Sequence, residues 1–269
     1  MLATGTSVLQ RGRAVAAITT YTLESTVAIV AAAERLRRPV LLSAGVSSYA
    51  AVGRELLAAA ALAAARAASV PVGVHLDHCR DRAEIDACLA LGYSSVMIDG
   101  SHLPFEENVA VTREVVARAH AAGAWVEAEL GALAGDEDRS GEAASEGMTD
   151  PAEAAEFVER TGVDALAVAV GNVHGFTPEP VRLDLDRLRA IAAVCSAPLV
   201  LHGASGLPDE DLLGAVAAGV VKVNVNAELR RAHIEALKAD VGDDVRALQR
   251  LAIEAMTGVA EEKIALLAP

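Results

Sequence analysis

The chain has 269 residues, of which 53% are hydrophobic but only 3% aromatic, so a large core must be built mainly from alanine, valine and leucine. The formal net charge of -14 argues against a nucleic-acid or anionic membrane partner, because both require clustered lysine and arginine. The longest uninterrupted apolar stretch, residues 56–65, is too short to span a bilayer, which needs about 20 residues.

Short runs rich in β-branched residues alternate along the chain with longer stretches of helical period. The predicted strands are Val15–Thr20, Val40–Gly45, Val72–His78, Ser95–Gly100, Trp125–Gly131, Asp164–Gly171, Pro198–Gly203 and Val220–Ala227. The predicted helices are 24–37, 51–69, 81–91, 106–122, 151–161, 186–195 and 208–218, with one or more helices from 228 to near the end.

Eight alternating βα units without an obvious linker predict an α/β fold, a single (β/α)8 TIM barrel over residues 1–269 with an extra C-terminal helix. The main competitor is a doubly wound open sheet. Its glycine-rich turn after the first strand is absent, which favours the barrel.

Alternation along the strands separates an apolar face from a face that carries polar residues. Lys222 and Asn224 share one face of the last strand, and Glu127 and Glu129 share one face of the fifth. In a parallel barrel the apolar row packs on the helices and the other row enters the barrel or its mouth. Polar side chains should therefore converge at the carboxyl ends of the strands, where such barrels place their active sites: Asp77, His78, Asp99, Glu129, His174, His202, Asn224 and Asn226.

Three histidines, His78, His174 and His202, follow the third, sixth and seventh predicted strands. Three neutral imidazoles with an open fourth position are typical of a catalytic zinc site. Asp77, next to His78, adds a carboxylate that can carry a proton. An interpretation without a catalytic role remains open, in which Asp77 and His78 cap the following helix. His75, deeper in the strand, is expected to be a core histidine.

Six stretches carry a family resemblance: His75–His78, Ser95–Asn108, Val126–Gly131, Gly171–Gly175, His202–Gly206 and Val221–Asn226. In this order, and over nearly the whole chain, they resemble class II, zinc-dependent ketose-bisphosphate aldolases, above all the fructose- and tagatose-bisphosphate aldolase branch.

The resemblance implies that His78, His174 and His202 bind Zn2+, which polarises the ketone of a dihydroxyacetone-phosphate-like donor and stabilises its enediolate. Asp77 would act as acid or base at the oxygen of the new or breaking carbon–carbon bond. Residues 132–147 have the composition of a mobile lid, and the resemblance assigns the exchange of the donor's carbon-bound proton to Glu137 within it.

The resemblance also assigns binding of the phosphorylated ketone donor. The matching residues are Gly175, Gly203, Ala204, Ser205 and Asn224, with Asn226 beside them. Glycine in such loops lets backbone N–H groups approach an anion closely. Asp99 and Glu129 match positions of a second, monovalent or alternative cation, or else serve as hydrogen-bond partners within the barrel.

Departures from the family pattern cluster at substrate contacts. Asn226 and Ala227 stand where the family usually has an Asp or Ala followed by a hydroxyl residue that binds the phosphate. Thr177 and Pro178 replace a Tyr-Lys pair, Thr19 replaces a common asparagine, and the second-strand loop reads Gly45-Val-Ser-Ser-Tyr49. We therefore hypothesise a donor or an aldehyde acceptor other than that of a standard sugar bisphosphate.

Three other functions compete with this hypothesis. A barrel metallohydrolase fits His75-x-Asp77-His78, but such sites usually draw on a His-x-His pair at an early strand. A Schiff-base aldolase could use Lys222, the only lysine on a predicted strand. A non-catalytic barrel could serve as a partner subunit or bind sugar phosphates, although the retained Asp77 and histidines argue against it.

The cysteines, Cys79, Cys88 and Cys195, are odd in number and form no paired motif, which predicts a reducing, cytoplasmic setting without a disulfide framework. The family resemblance further suggests a homodimer or homotetramer.

Overall fold

Eight parallel strands of the computed structural model alternate with helices in the parts of the chain that the structure describes, residues 1–10, 12–131, 147–177 and 181–268. The strands are β1 (Val15–Thr19), β2 (Val40–Ala44), β3 (Val72–Cys79), β4 (Ser95–Ile98), β5 (Trp125–Leu130), β6 (Ala165–Val168), β7 (Leu199–Leu201) and β8 (Val220–Val225).

The helices are α1 (Leu23–Leu36), α2 (Arg54–Ala67), α3 (Arg82–Leu91), α4 (Phe105–Ala121), α5 (Pro151–Thr161), α6 (Leu185–Val194), α7 (Asp209–Ala218), α8 (Ala227–Leu237) and α9 (Val245–Leu267). Side chains cap several starts, as where Asp150 accepts hydrogen bonds from two backbone N–H groups at the start of α5. Gly92, Gly162 and Gly219 end α3, α5 and α7 in the left-handed conformation. None of these described helices is long and apolar enough to cross a membrane.

The strands pair in chain order and close on themselves, because β1 pairs with β8 in parallel and places Ala16 opposite Val223. This closure confirms the predicted (β/α)8 barrel and excludes the open doubly wound sheet. The extra C-terminal helix is α9, which packs on α1 and α8. A backbone hydrogen bond joins the start of β1 to the end of α9, since Ala14 N–H donates to the carbonyl of Leu267.

The two faces of the strands build two separate hydrophobic clusters. Ala16, Ile18 and Leu42 belong to the large cluster between strands and helices. The alternate residues of the strands point inward, where they form a small cluster inside the barrel together with Val8 from the segment before β1: Val15, Ala17, Leu41, Trp125, Ala165, Ala167 and Val200. Buried polar residues continue this inward row toward the mouth.

Several strands end earlier than the sequence pattern predicts. β4 stops at Ile98 because the Asp99 carboxylate accepts hydrogen bonds from the N–H and hydroxyl of Ser101, which turns the chain. β6 stops at Val168, and Asn172 then binds Val170 N–H through its side-chain oxygen. After these two strands, hydrogen bonds from side chains in the turns thus take the place of hydrogen bonds between strands.

Candidate active site

Three histidines meet at the mouth of the barrel. A ring nitrogen from each of His78, His174 and His202 lies within 4.8 Å of the others. His202 Nδ1 faces His78 Nε2 at 2.7 Å, and the His78 and His174 rings are nearly perpendicular, with centroids 5.0 Å apart. The structure therefore brings together the three residues that the sequence singled out as zinc ligands, and the donor set suits a divalent ion such as zinc.

A β-bulge directs His78 into this group. The pairing of β3 with β4 shifts by one residue between Leu76 and Cys79, and His78 has a φ of 40°, in the left-handed region. Strict alternation would send Asp77 and His78 to opposite faces of the strand. The extra residue instead allows both neighbours to serve the mouth.

His202 lies one residue beyond β7 and is fully buried. Its Nε2 is 2.7 Å from Glu127 Oε1, and Glu127 Oε2 is 2.8 Å from the ammonium of Lys222. Burial would raise the pKa of Glu127, but the charge of Lys222 and the His202 hydrogen bond lower it to about 2. Burial and the neighbouring His78 lower the pKa of His202.

Asp77 is buried at the inner edge of the histidine group. Asn224 donates through Nδ2 to both carboxylate oxygens, at 3.2 and 2.9 Å. Burial alone would raise the pKa of Asp77, yet the charge of His78, the contact with His75 and the charge of Lys222 hold it well below its usual range. Asp77 is therefore a buried carboxyl group held by Asn224 next to the histidines, in a place where it could exchange a proton with a reacting group.

His75 lies deeper in the barrel, as expected of a core histidine. It stacks on Trp125 with ring centroids 5.4 Å apart, and its Nδ1 is 2.9 Å from Ser95 Oγ. Burial lowers the pKa of its ring. With Asp77 and Glu127 it forms a second group of side chains within metal-binding distance of one another.

Asp99 and Glu129 lie beside His78, and Glu129 Oε2 is also 3.8 Å from His202 Nδ1. Asp99 Oδ2 is 4.0 Å and Glu129 Oε2 is 3.8 Å from His78 Nδ1. The guanidinium of Arg80 contacts Asp99 at 3.0 Å. Burial would raise the pKa of Asp99, but the Ser101 hydrogen bond and the charges of His78 and Arg80 lower it. A cation of the chain itself thus adjoins Asp99, one of the two carboxylates at which the sequence suggested a second cation.

The predicted donor-binding residues line one small cavity next to the histidines. Its wall consists of His174, Gly175, Gly203, Ala204, Ser205, Asn224, Asn226 and Ala227. Gly203 has a φ of 61°, and a Cβ at this position would lie 2.4 Å from the carbonyl oxygen of Val173. Because no side chain fits there, the loop that carries His174 can pack directly against the end of β7.

Asn172 joins these two loops. Its Nδ2 donates to the carbonyls of Val168 and His202, at 3.3 and 3.0 Å, and the side chain is buried. Sequence reasoning passed over this residue, although it stands within the Gly171–Gly175 motif. A buried amide between two loop backbones fixes the spacing of His174 and His202.

Two contacts in the cavity were not foreseen from the sequence. The Ser205 hydroxyl donates to the carboxylate of Glu228 at 2.6 Å, and Glu228 is 3.3 Å from the ammonium of Lys263. The Tyr21 hydroxyl donates to Asn226 Oδ1 at 2.8 Å. Two of the residues predicted to bind donor therefore contact side chains of the same chain. Glu137 and Pro178 lie outside the described residues.

Comparisons with known proteins agree with this geometry. Residues 5–268 match the family described as fructose-bisphosphate aldolase class-II. The crystal structure of the YdjI aldolase from Escherichia coli K12 is similar, with a TM-score of 0.87 and 35% identity over 97% of this chain and 93% of that one. The crystal structure of a candidate fructose-1,6-bisphosphate aldolase from Coccidioides immitis has a TM-score of 0.87 and 36% identity, over 95% of this chain and 91% of that one.

The fold also matches that of a fructose-bisphosphate aldolase from Campylobacter jejuni, with a TM-score of 0.80 and 24% identity over 95% of this chain and 90% of that one. This likeness adds support for the barrel alone. The family match and the two more similar structures confirm the resemblance seen in the motifs: the chain belongs to the class-II fructose-bisphosphate aldolase family and is a class II aldolase.

Proposed function

We propose that this aldolase binds Zn2+ through His78, His174 and His202. We further propose that it makes or breaks a carbon–carbon bond between a dihydroxyacetone-phosphate-like donor and an aldehyde. The observation that carries the proposal is the convergence of the three imidazoles beside the buried carboxylate of Asp77. When bound, zinc would act as a Lewis acid toward the donor ketone, an effect of several kcal/mol.

Asp77 is the acid or base that we propose for the oxygen of the reacting bond. In cleavage it would take the proton of the hydroxyl; in condensation it would first take up a proton from solvent and then give it to the aldehyde oxygen, a role that contributes roughly 10²–10⁴-fold to the rate. Asn224 holds both oxygens of this carboxylate. Glu137 remains our proposal for exchange of the donor's carbon-bound proton, on the family resemblance alone.

The family acts on phosphorylated sugars and aldehydes, and we propose a substrate pair other than a standard sugar bisphosphate. Three features support this proposal: Ser205 donates to Glu228, Tyr21 donates to Asn226, and Ala227 lacks a hydroxyl. The donor phosphate would then depend on backbone N–H groups of Gly175, Gly203 and Ala204. Asp99 and Glu129 remain candidates for a second cation.

Removal of the metal tests the first half of the proposal. We expect EDTA to abolish both aldol cleavage and donor proton exchange in D2O, and zinc to restore them. His174→Ala should lose both activities together with stoichiometric zinc binding, whereas His233→Ala, on α8, should retain them. Activity that survives chelation, or inactivation by borohydride plus ketone, would instead favour Lys222 as a Schiff-base nucleophile.

A panel of aldehydes tests the second half. With dihydroxyacetone phosphate as donor, we expect kcat/KM for some other aldehyde to exceed that for glyceraldehyde 3-phosphate. Turnover of fructose 1,6-bisphosphate equal to that of an ordinary family member would refute a non-standard substrate. We also propose a homodimer or homotetramer in the cytoplasm; light scattering and cell fractionation test these two points.

A further inference from the structure

The barrel interior contains an ion pair that the proposed chemistry does not use directly. Lys222 on β8 and Glu127 on β5 meet inside the barrel from strands separated by β6 and β7, with no exposed surface on either side chain. We propose that this pair is a positioning element for the proposed zinc aldolase. Through Glu127 it fixes which ring nitrogen of His202 can bind the metal. Through Asn224 it fixes which end of that side-chain amide donates a hydrogen bond to Asp77.

The first arm runs from Glu127 to His202. An ionised carboxylate can only accept hydrogen bonds, so the 2.7 Å contact with Glu127 Oε1 requires the proton of neutral His202 to be on Nε2. Nδ1 then carries the lone pair, and Nδ1 is the atom that faces His78. Glu127 therefore selects the tautomer of His202 that can bind a metal together with His78 and His174.

The second arm runs from Lys222 to Asp77. The ammonium of Lys222 has donors only, and one of them reaches Asn224 Oδ1 at 2.7 Å. This contact fixes which end of the amide is oxygen, so Nδ2 is the end that donates to Asp77. If the amide flipped, its oxygen would face the carboxylate and its NH2 group would face the ammonium, and both contacts would be repulsive.

The pair is better suited to this role than to two others. A Schiff-base nucleophile must be reachable by substrate, whereas Lys222 is fully buried and hydrogen-bonded on two sides. A second metal among His75, Asp77 and Glu127 would have to share Glu127 with an ammonium 2.8 Å away. Because the lysine already neutralises this carboxylate, the interior needs no further cation.

Zinc affinity tests the first arm without any measurement of activity. Glu127→Gln keeps the shape of the side chain. Because the Lys222 ammonium requires the amide oxygen on its side, the NH2 group would face His202 Nε2 and move the ring proton to Nδ1. In competition with a chromophoric chelator we expect zinc affinity to fall about 10–100-fold, the usual effect of losing such a partner. Glu153→Gln, on the outer helix α5, is the matched control and should bind zinc as the parent does. Parent-like affinity in Glu127→Gln would overturn this arm.

The carbon–carbon step tests the second arm. In Lys222→Met we expect a smaller loss of zinc affinity than in Glu127→Gln, because Glu127 loses its counter-charge but still contacts His202. At saturating zinc we expect proton exchange of the ketone donor to be retained and the kcat for cleavage to fall by on the order of 10²-fold, because Asp77 is no longer held in one place. Lys238→Met removes an exposed lysine of α8 and should match the parent. A parent-like kcat in Lys222→Met, or a loss of zinc affinity equal to that of Glu127→Gln, would overturn the division into two arms.

Removal of one buried charge can itself unfold the protein. The double variant Lys222→Met/Glu127→Gln removes one charge of each sign, and we expect it to fold. It should keep the cleavage defect, but its zinc affinity should be higher than that of Glu127→Gln alone, because without Lys222 the new amide can turn its oxygen toward His202 Nε2. This inference rests on the proposed function, yet the two can fail separately. A parent protein without zinc-dependent proton exchange refutes the function, whereas the tautomer argument stands or falls on zinc affinity alone.

Discussion

His78 combines a functional side chain with an unfavourable backbone. Its φ of 40° costs an L-residue about 1–2 kcal/mol, and the bulge in β3 holds it there. The bulge brings both Asp77 and His78 to the mouth of the barrel. We regard the bulge as part of the site rather than as an irregularity of the strand.

The bulge predicts an inverted order of stability for small residues. In metal-free protein, the unfolding free energy of His78→Gly should be about 1 kcal/mol higher than that of His78→Ala, because glycine tolerates positive φ. At Val74, in the regular part of β3, alanine should be the more stable of the same two substitutions. Urea unfolding of the four variants checks this, and an alanine advantage at both positions would contradict the strained conformation.

Glu127 predicts a defined dependence of stability on pH. Its pKa is lowered from 4.5 to about 2 in the folded protein, so its stabilising contribution is complete above pH 4.5 and is lost as pH falls toward 2. The difference in unfolding free energy between the metal-free parent and Glu127→Gln should therefore be about 1 kcal/mol smaller at pH 4 than at pH 7. Glu254→Gln, on the exposed face of α9, is the control and shows how much the unfolding free energy changes when an exposed carboxylate is removed. An unchanged difference for Glu127→Gln would contradict the ion pair.

Sequence reasoning singled out the histidines and Asp77, which the structure places together, because their residue types and positions after strands are informative. It assigned no role to Glu127 or Asn172 and did not foresee the bulge. Glu127 was correctly expected to face inward, but no sequence pattern tells which inward residue will meet it from another strand. The Ser205–Glu228 contact depends on how two loops fold against each other, a matter of tertiary packing.

At the scale of elements, the predicted order of strands and helices is correct, and the errors lie at the ends. The predicted helix 51–69 begins at Arg54, because Gly53 has a φ of 89° and precedes the first turn. The C-terminal region divides into α8 and α9. Periodicity locates an element well, but its last residues depend on turns and caps that periodicity does not contain.

The helix α9 contributes stability through one buried face. Met256 is fully buried there, whereas Leu251 is 39% exposed on the same helix. Met256→Ala should lower the unfolding free energy by about 2–5 kcal/mol, since it leaves a cavity between α9 and its neighbours. Leu251→Ala should cost much less. Equal losses in chemical denaturation would show that α9 does not pack on the barrel as described.

At the scale of the whole molecule, the closed sheet makes every strand depend on two neighbours. We propose that residues 1–269 form one domain. Far-ultraviolet circular dichroism and the fluorescence of Trp125, which lies inside the barrel, should then report one coincident transition in urea. Two separated transitions would contradict a single domain.

The pairing of β1 with β8 also bears on how the protein is made. Ala16 leaves the ribosome 207 residues before its partner Val223, a delay of roughly 10–40 s at ordinary elongation rates. During that time one edge of β1 has no strand beside it, and a nascent chain with an open edge can pair with other chains. A chaperone that shields the amino-terminal strand until translation ends should therefore raise the yield of this barrel.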